Sequence, residues 1–270
     1  MRIIVPIKQV PETGAVRMDE QTGTMIREGV EAIVNPLDLY GLEVAIRLRD
    51  QAVAAGQGGE ATAVSMGPPK AEKAIREAIA MGCDSGVLVS DKAFAGSDTW
   101  ATSYVLAAAV RKLAPVDLIV CGERATDGDT GQVGPGVAAF LGIPVVTYVS
   151  AVREVAGGKI VLERLVETGR EVLEAELPIV ITVVKEVAEP RLPTLRGKLK
   201  AKAAVVPRYT PAELDVDAER LGLHGSPTRV VKIDKPKVAR QCEKLPAGDE
   251  AAASAAVERV ISFLKEKQLL

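Results

Sequence analysis

Aromatic residues are scarce in this sequence, at 3% against 47% hydrophobic overall. The core must therefore be aliphatic, and modules that stack bases on aromatic rings are excluded. The single histidine, His224, sits in a Gly-Leu-His-Gly-Ser segment, which argues against a Ser–His or Cys–His hydrolase. Cys83, Cys121 and Cys242 lie far apart with no C-x-x-C pair. That excludes a zinc or iron–sulfur site built from cysteines within the chain, and an odd count suits a reducing compartment. A formal net charge of -2 supplies no basic field, so no nucleic-acid partner is expected. No apolar run approaches the roughly 20 residues that span a bilayer. The amino terminus enters a strand directly and does not read as a signal peptide. The expectation is a cytoplasmic protein with no direct membrane insertion and no metal centre.

What is present is an alternation of strands and helices. Residues 2–8 read as a buried strand bounded by Pro6 and Pro11, and 12–31 as a loop with a hairpin around Gly23. Asn35-Pro36-Leu37-Asp38 is a helix start, with Asn as cap, Pro in the first position and an acid in the first turn. Leu39, Leu42, Ala45, Ile46 and Leu48 continue at helical spacing, and Gly56 closes the run. Strands follow at 60–66, 86–90 and 117–122, with helices at 71–81 and from Asp98-Thr99 to about Leu113. This order predicts an α/β fold, a doubly wound parallel sheet of the Rossmann-like, adenine-nucleotide-binding kind. From Val145 the runs 147–155, 159–168, 171–176 and 179–184 follow one another without helices. They predict an antiparallel extension whose last strand returns towards the centre of the sheet.

Residues 1–188 thus read as one nucleotide-binding α/β domain, and 189–270 as a docking loop, an arm and a terminal helix. The arm carries Arg191, Arg196, Lys198, Lys200, Lys202 and Arg208 with no acid between Pro190 and Ala212. It reads either as a solvated face or as a surface for an acidic partner. A short helix is expected over 211–221, a linker over 235–248, and an amphipathic helix over 249–270.

The stretch on which the chain turns is Asp117-Leu-Ile-Val-Cys-Gly122, followed by Glu123-Arg-Ala-Thr-Asp-Gly-Asp-Thr-Gly-Gln-Val-Gly-Pro135. A strand feeding a helix through such a loop exposes unpaired backbone N–H groups at the positive end of the helix. Gly128, Gly131 and Gly134 offer unusual backbone angles and close approach, while Asp129 with Gln132 has capping-box spacing. The stretch reads either as a capped turn or as a phosphate cradle. It is neither the G-x-G-x-x-G fingerprint nor a P-loop. Asp127 and Asp129 could hold Mg²⁺, though capping and ribose hydrogen bonds need no metal. In a doubly wound sheet, four segments would meet beyond the strand ends: 6–9, 66–68, 90–99 and 121–134.

Val5-Pro-Ile-Lys-Gln-Val-Pro11, Asn35-Pro-Leu-Asp-Leu-Tyr-Gly-Leu-Glu-Val-Ala-Ile-Arg-Leu48, Asp127-Gly-Asp-Thr-Gly-Gln-Val-Gly-Pro135 and Glu189-Pro-Arg-Leu-Pro-Thr-Leu195 resemble the small (beta) subunit of electron transfer flavoproteins. The resemblance covers nearly the whole chain. It implies pairing with an FAD-carrying alpha subunit and a second nucleotide held in this chain. The loop at 127–135 is similar to the electron-bifurcating branch, whose beta subunit holds FAD; the ordinary branch holds structural AMP. In the bifurcating branch the beta flavin accepts hydride from NADH. One electron then goes to ferredoxin or flavodoxin, and one through the alpha flavin to an acyl-CoA dehydrogenase or quinone reductase. By the same resemblance, Thr130, Gly131, Gln132, Val133 and Gly134 would cradle the diphosphate. Pro6, Ile7, Lys8, Asn35, Met66, Gly67 and Pro68 would line the adenosine. Asp38, Asp98, Thr99, Cys121, Gly122, Asp127, Gly128 and Asp129 complete the expected cofactor site, both loop acids pointing away from the phosphates. Leu195 resembles the leucine that enters a pocket of the partner dehydrogenase. A stand-alone adenine-nucleotide sensor is the competing reading from another class.

Overall fold

Strand β1 (Arg2–Pro6) is buried from its second residue onward, and its side chains divide between two layers. Ile3 and Val5 join one core, while Ile4 joins the other. Burying each such side chain contributes on the order of 2 kcal/mol, and a strand covered on both faces favours parallel pairing. The computed structural model describes residues 1–12, 17–18, 25–26, 32–231 and 242–270, with 17–18 and 25–26 given by backbone alone.

After β1 come β2 (Gln9–Pro11), β3 (Arg17–Met18), β4 (Met25–Ile26) and β5 (Ala32–Val34). β2 pairs with β5, and β3 with β4, both antiparallel. The turn expected around Gly23 lies outside the described residues. Helix α1 (Pro36–Ala54) then leads to β6 (Glu60–Met66), α2 (Glu72–Met81), β7 (Ser85–Val89), α3 (Thr99–Leu113), β8 (Leu118–Gly122) and α4 (Val133–Leu141). Helices α1 and α2 contribute Leu42, Ile46, Ile75 and Ile79 to one core. Helices α3 and α4 contribute Val105, Ala109, Val137 and Ala138 to the other. Their ends obey local chemistry: Asp98 caps α3 by accepting from the Ala101 N–H, and Gly82 follows α2 at φ 139°.

The extension comprises β9 (Val145–Ala156), β10 (Lys159–Val166), β11 (Gly169–Glu176) and β12 (Ile179–Val183). β9–β10 and β10–β11 are antiparallel. β12 returns to the centre as expected, parallel to both β8 and β9. With β13 (Arg208–Tyr209), the sheet order is β11-β10-β9-β12-β8-β1-β6-β7-β13.

Two expectations for the carboxy-terminal third need correction. Residues 211–221 do not form an α-helix; they hold turns and one short 3₁₀ segment, Ala218–Arg220. Leu214 and Leu221 are buried against α3, and the Asp217 N–H donates to the Tyr104 hydroxyl at 2.8 Å. The apolar residues there anchor an extended strap. The segment around Leu195 is not a loop either: it begins helix α5 (Leu195–Ala203), capped by Thr194. Packing divides the chain into Met1–Lys232 and Ile233–Leu270. Helix α6 (Glu250–Glu266) in the second unit is capped by Asp249 and exposes Val257, Val260, Ile261 and Phe263. Part of the expected linker over 235–248 lies outside the described residues. Among the described residues no helix is long and apolar enough to cross a membrane.

Candidate functional site

Strand order reverses at β1: the chain moves outward through β6 and β7, then returns to place β8 on the other side. The crevice beyond the carboxyl ends of β1 and β8 is the position where open α/β sheets take ligands. A shallow hollow lined by Arg2, Glu60, Thr62 and Ser85 lies at the opposite edge. Topology selects the crevice.

A buried polar hub joins its walls. The Asn35 side chain donates to Asp38 Oδ1 and to the Arg124 carbonyl, each at 2.9 Å, and accepts from the Thr126 N–H at 3.2 Å. Asp38 Oδ2 accepts the Lys8 N–H at 2.7 Å. One asparagine and one aspartate thus tie the end of β1, the start of α1 and the loop after β8 together. Burial pushes the Asp38 carboxyl up to about 7, against the opposing pull of the Lys8 N–H and the Asn35 amide. Gly122 is required here, because a Cβ would lie 2.5 Å from Asp38 Oδ1 and 2.9 Å from the Leu37 carbonyl. Burial, and then the nearby Asp38 charge, holds the Cys121 thiol far above its ordinary range. Pro6 and Ile7 are buried, and Met66, Gly67 and Pro68 follow at the end of β6, with the Gly67 N–H donating to Val89.

The loop after β8 differs from its sequence reading at three residues. Asp129 does not cap α4; Gln132 occupies the cap position and makes no side-chain cap bond. Asp129 instead adopts φ 54° and pairs with Arg124 at 3.1 Å. Gly128 lies outside the left-handed region, and a Cβ on it would meet nothing within 4 Å. Gly134 serves packing: a Cβ would come within 2.6 Å of Thr182 Cγ2. Gly131, at φ 63°, is the loop glycine whose backbone requires its type. Asp127 accepts from Lys8 Nζ at 2.7 Å, a bridge that spans the crevice from β1 to β8. Each loop acid is therefore paired with a cation.

Among the described residues, the N–H groups of residues 130–134 have no hydrogen-bond partner. They surround the start of α4, whose positive end no side chain neutralises. Thr99 Oγ1 donates to Gln132 Oε1 at 3.1 Å, bringing the start of α3 alongside. Asp98 is engaged elsewhere, accepting from Ala101 and from both the N–H and hydroxyl of Thr228. Burial works to raise its pKa, but these bonds outweigh burial and hold the carboxyl below its ordinary value. The roles of Ser226 and Thr228, which brace the Asp98 segment, had no local sequence signal. Nor had Arg124, which contributes through its carbonyl. Among the described residues no three acidic, histidine or cysteine side chains are grouped to hold a metal.

Comparison with known proteins decides the family. The profile of the electron transfer flavoprotein domain matches residues 22–214. The electron transfer flavoprotein subunit beta of Thermoanaerobacterium thermosaccharolyticum is 46% identical over 263 residues, covering 97% of this chain and 98% of the relative. The chain belongs to the electron transfer flavoprotein beta-subunit family. Subunit CarD of the caffeyl-CoA reductase-Etf complex of Acetobacterium woodii is 40% identical over 274 residues, covering both chains in full. The acryloyl-CoA reductase electron transfer subunit gamma of Anaerotignum propionicum is 41% identical over 243 residues, covering 87% and 89%. The Thermoanaerobacterium and Acetobacterium matches extend over the arm and terminal helix, which a stand-alone nucleotide sensor leaves without a purpose. The crevice suits an anion: its unpartnered N–H groups and uncapped helix start offer donors and a positive helix end.

Proposed function

We propose that this beta subunit pairs with an FAD-carrying alpha subunit and binds a second FAD in the crevice between β1 and β8. The observation carrying this reading is the uncapped start of α4 at the point where strand order reverses, with residues 130–134 offering free N–H groups. Those groups would hold the diphosphate, and the Asn35–Asp38 hub would fix the loop that presents them. Lys8 would offset phosphate charge while restraining Asp127. Gly128 stands in open space outside the left-handed region, so packing does not require a glycine there; room for a ligand larger than AMP would.

When bound, the flavin supplies hydride acceptance from NADH and single-electron delivery. The acceptors it would serve are ferredoxin or flavodoxin for one electron and, through the alpha subunit, an acyl-CoA dehydrogenase or quinone reductase for the other. The names of CarD and of the acryloyl-CoA reductase subunit support an acyl-CoA-linked partner. In the complex, Leu195 is the docking residue, exposed at the head of the basic helix α5. Anaerobic titration of the heterodimer with NADH tests the reading. Rapid bleaching of flavin absorbance is expected; a heterodimer that NADH leaves oxidised, and that releases AMP, supports the non-bifurcating alternative instead.

A further inference from the structure

We infer that the ion pair between the buried Glu43 and the half-buried Arg191 is a positioning device that sets the docking ridge of α5; the inference rests on the docking role given to Leu195 above. Glu43 lies on α1 with its side chain 3% exposed. Its Oε2 accepts Arg191 Nε at 2.8 Å and the Arg191 backbone N–H at 3.1 Å. Its Oε1 accepts Arg191 Nη2 at 3.2 Å and Arg47 Nε at 2.6 Å. One carboxylate therefore grips both the side chain and the main chain of the same arginine. Arg47 also reaches the Glu189 carbonyl at 3.3 Å, and Arg191 Nη1 reaches Asp50 at 3.3 Å. Burial works against ionised Glu43, but the donors from Arg191 and Arg47 outweigh it and hold the carboxyl below its ordinary value. The pair is charged throughout the neutral range.

The ridge begins one residue later. Leu192, Leu195 and Leu199 are 85%, 78% and 63% exposed, with Leu195 and Leu199 one helical turn apart. Arg196, Lys198 and Lys202 flank them, a surface suited to an apolar slot with an acidic rim. The opposite side of α5 is seated on α2. A Cβ at Gly197 would strike the Ala80 carbonyl, and Ala201 is buried in the core beside α2. Arg76 of α2 donates to the carbonyls of Ala201 and Ala204 at the far end. The helix is thus fixed at its carboxyl end and along one face, and the Glu43–Arg191 grip fixes its entry.

A tether alone does not call for a charge on the buried Glu43, because desolvation offsets much of the attraction and an apolar contact holds as well. What a bidentate pair with a third bond to the backbone adds is direction. It sets the path of residues 189–192, and with it the height of Leu192 and Leu195 above α2.

The test uses the intact heterodimer and a four-carbon acyl-CoA dehydrogenase chosen for a saturable electron-transfer rate with the wild type. Arg191→Lys keeps the charge and loses the fork; Glu43→Gln keeps the shape and loses the charge. Both are expected to raise the KM for the dehydrogenase about tenfold, a loss of roughly 1.4 kcal/mol, with kcat at saturation unchanged. Tyr104→Phe, in the other layer, lowers stability without moving KM and so controls for general loosening. If Leu195→Ala raises KM while Arg191→Lys leaves it at the wild-type value, the positioning role is overturned and docking stands. If Leu195→Ala itself leaves KM unchanged, the docking reading fails and takes the positioning role with it. Should Glu43→Gln fail to fold, Arg191→Lys decides.

Discussion

Asp38 is a buried carboxyl, 6% exposed and raised from 3.8 to about 7 by its burial. A raised carboxyl favours the fold when protonated, so its contribution is complete below the unfolded value of about 4. It is lost as pH rises through about 7. Asp38→Asn removes that dependence while keeping the shape of the hub. Between about pH 5 and pH 8, the wild type should lose on the order of 2 kcal/mol relative to the variant. Urea denaturation at the two pH values measures the difference, and a gap that stays constant contradicts the assignment. Gly128 carries a different test. With no packing neighbour within 4 Å, Gly128→Asp should lower flavin content in the purified heterodimer while leaving the melting temperature nearly unchanged. Equal flavin content in both proteins shows that the position is only part of a turn.

At the scale of elements, the strap over 214–228 and helix α5 do work that short-range patterning conceals. The strap lays Arg220 over the Tyr104 and Phe140 rings, 4.1 and 5.2 Å from their centroids. It also places Thr228 on Asp98. Tyr104→Phe removes the acceptor of the Asp217 N–H and should cost about 1 kcal/mol, read as a lower denaturation midpoint with unchanged flavin content. A cost indistinguishable from zero shows that the strap is held by its leucines alone. The parallel sheet was legible because its strands are short, mostly apolar runs alternating with helices, and the helix boundaries because Pro36, Asp98, Gly56 and Gly82 are chemically committed to helix ends; Asn35 holds the cap position without a side-chain cap bond. Helix α5 was not legible: its buried face is Gly197 and Ala201, too small to show as a hydrophobic stripe, while its basic residues read as a solvated arm. In the site, the glycine-rich loop was recognisable, but the assignment of positive φ was not. It falls on Asp129, which Arg124 holds, and on Gly131, while Gly128 lies outside the left-handed region.

On the scale of the whole molecule, the parts point outward from one crevice. The Asn35–Asp38 hub and the Lys8–Asp127 bridge bind its two walls together. The start of α3 is already capped by Asp98, and the first turn of α1 is occupied by the Asp38 hub. That leaves α4 as the open anion site. The basic ridge of α5 projects from the α1/α2 layer, supported by Glu43 and Arg76. The central claim is that the crevice holds a complete flavin dinucleotide. It is tested most directly by co-expressing the chain with its alpha subunit, denaturing the purified heterodimer and quantifying the nucleotides released. The account requires two FAD per heterodimer; one FAD with one AMP contradicts it.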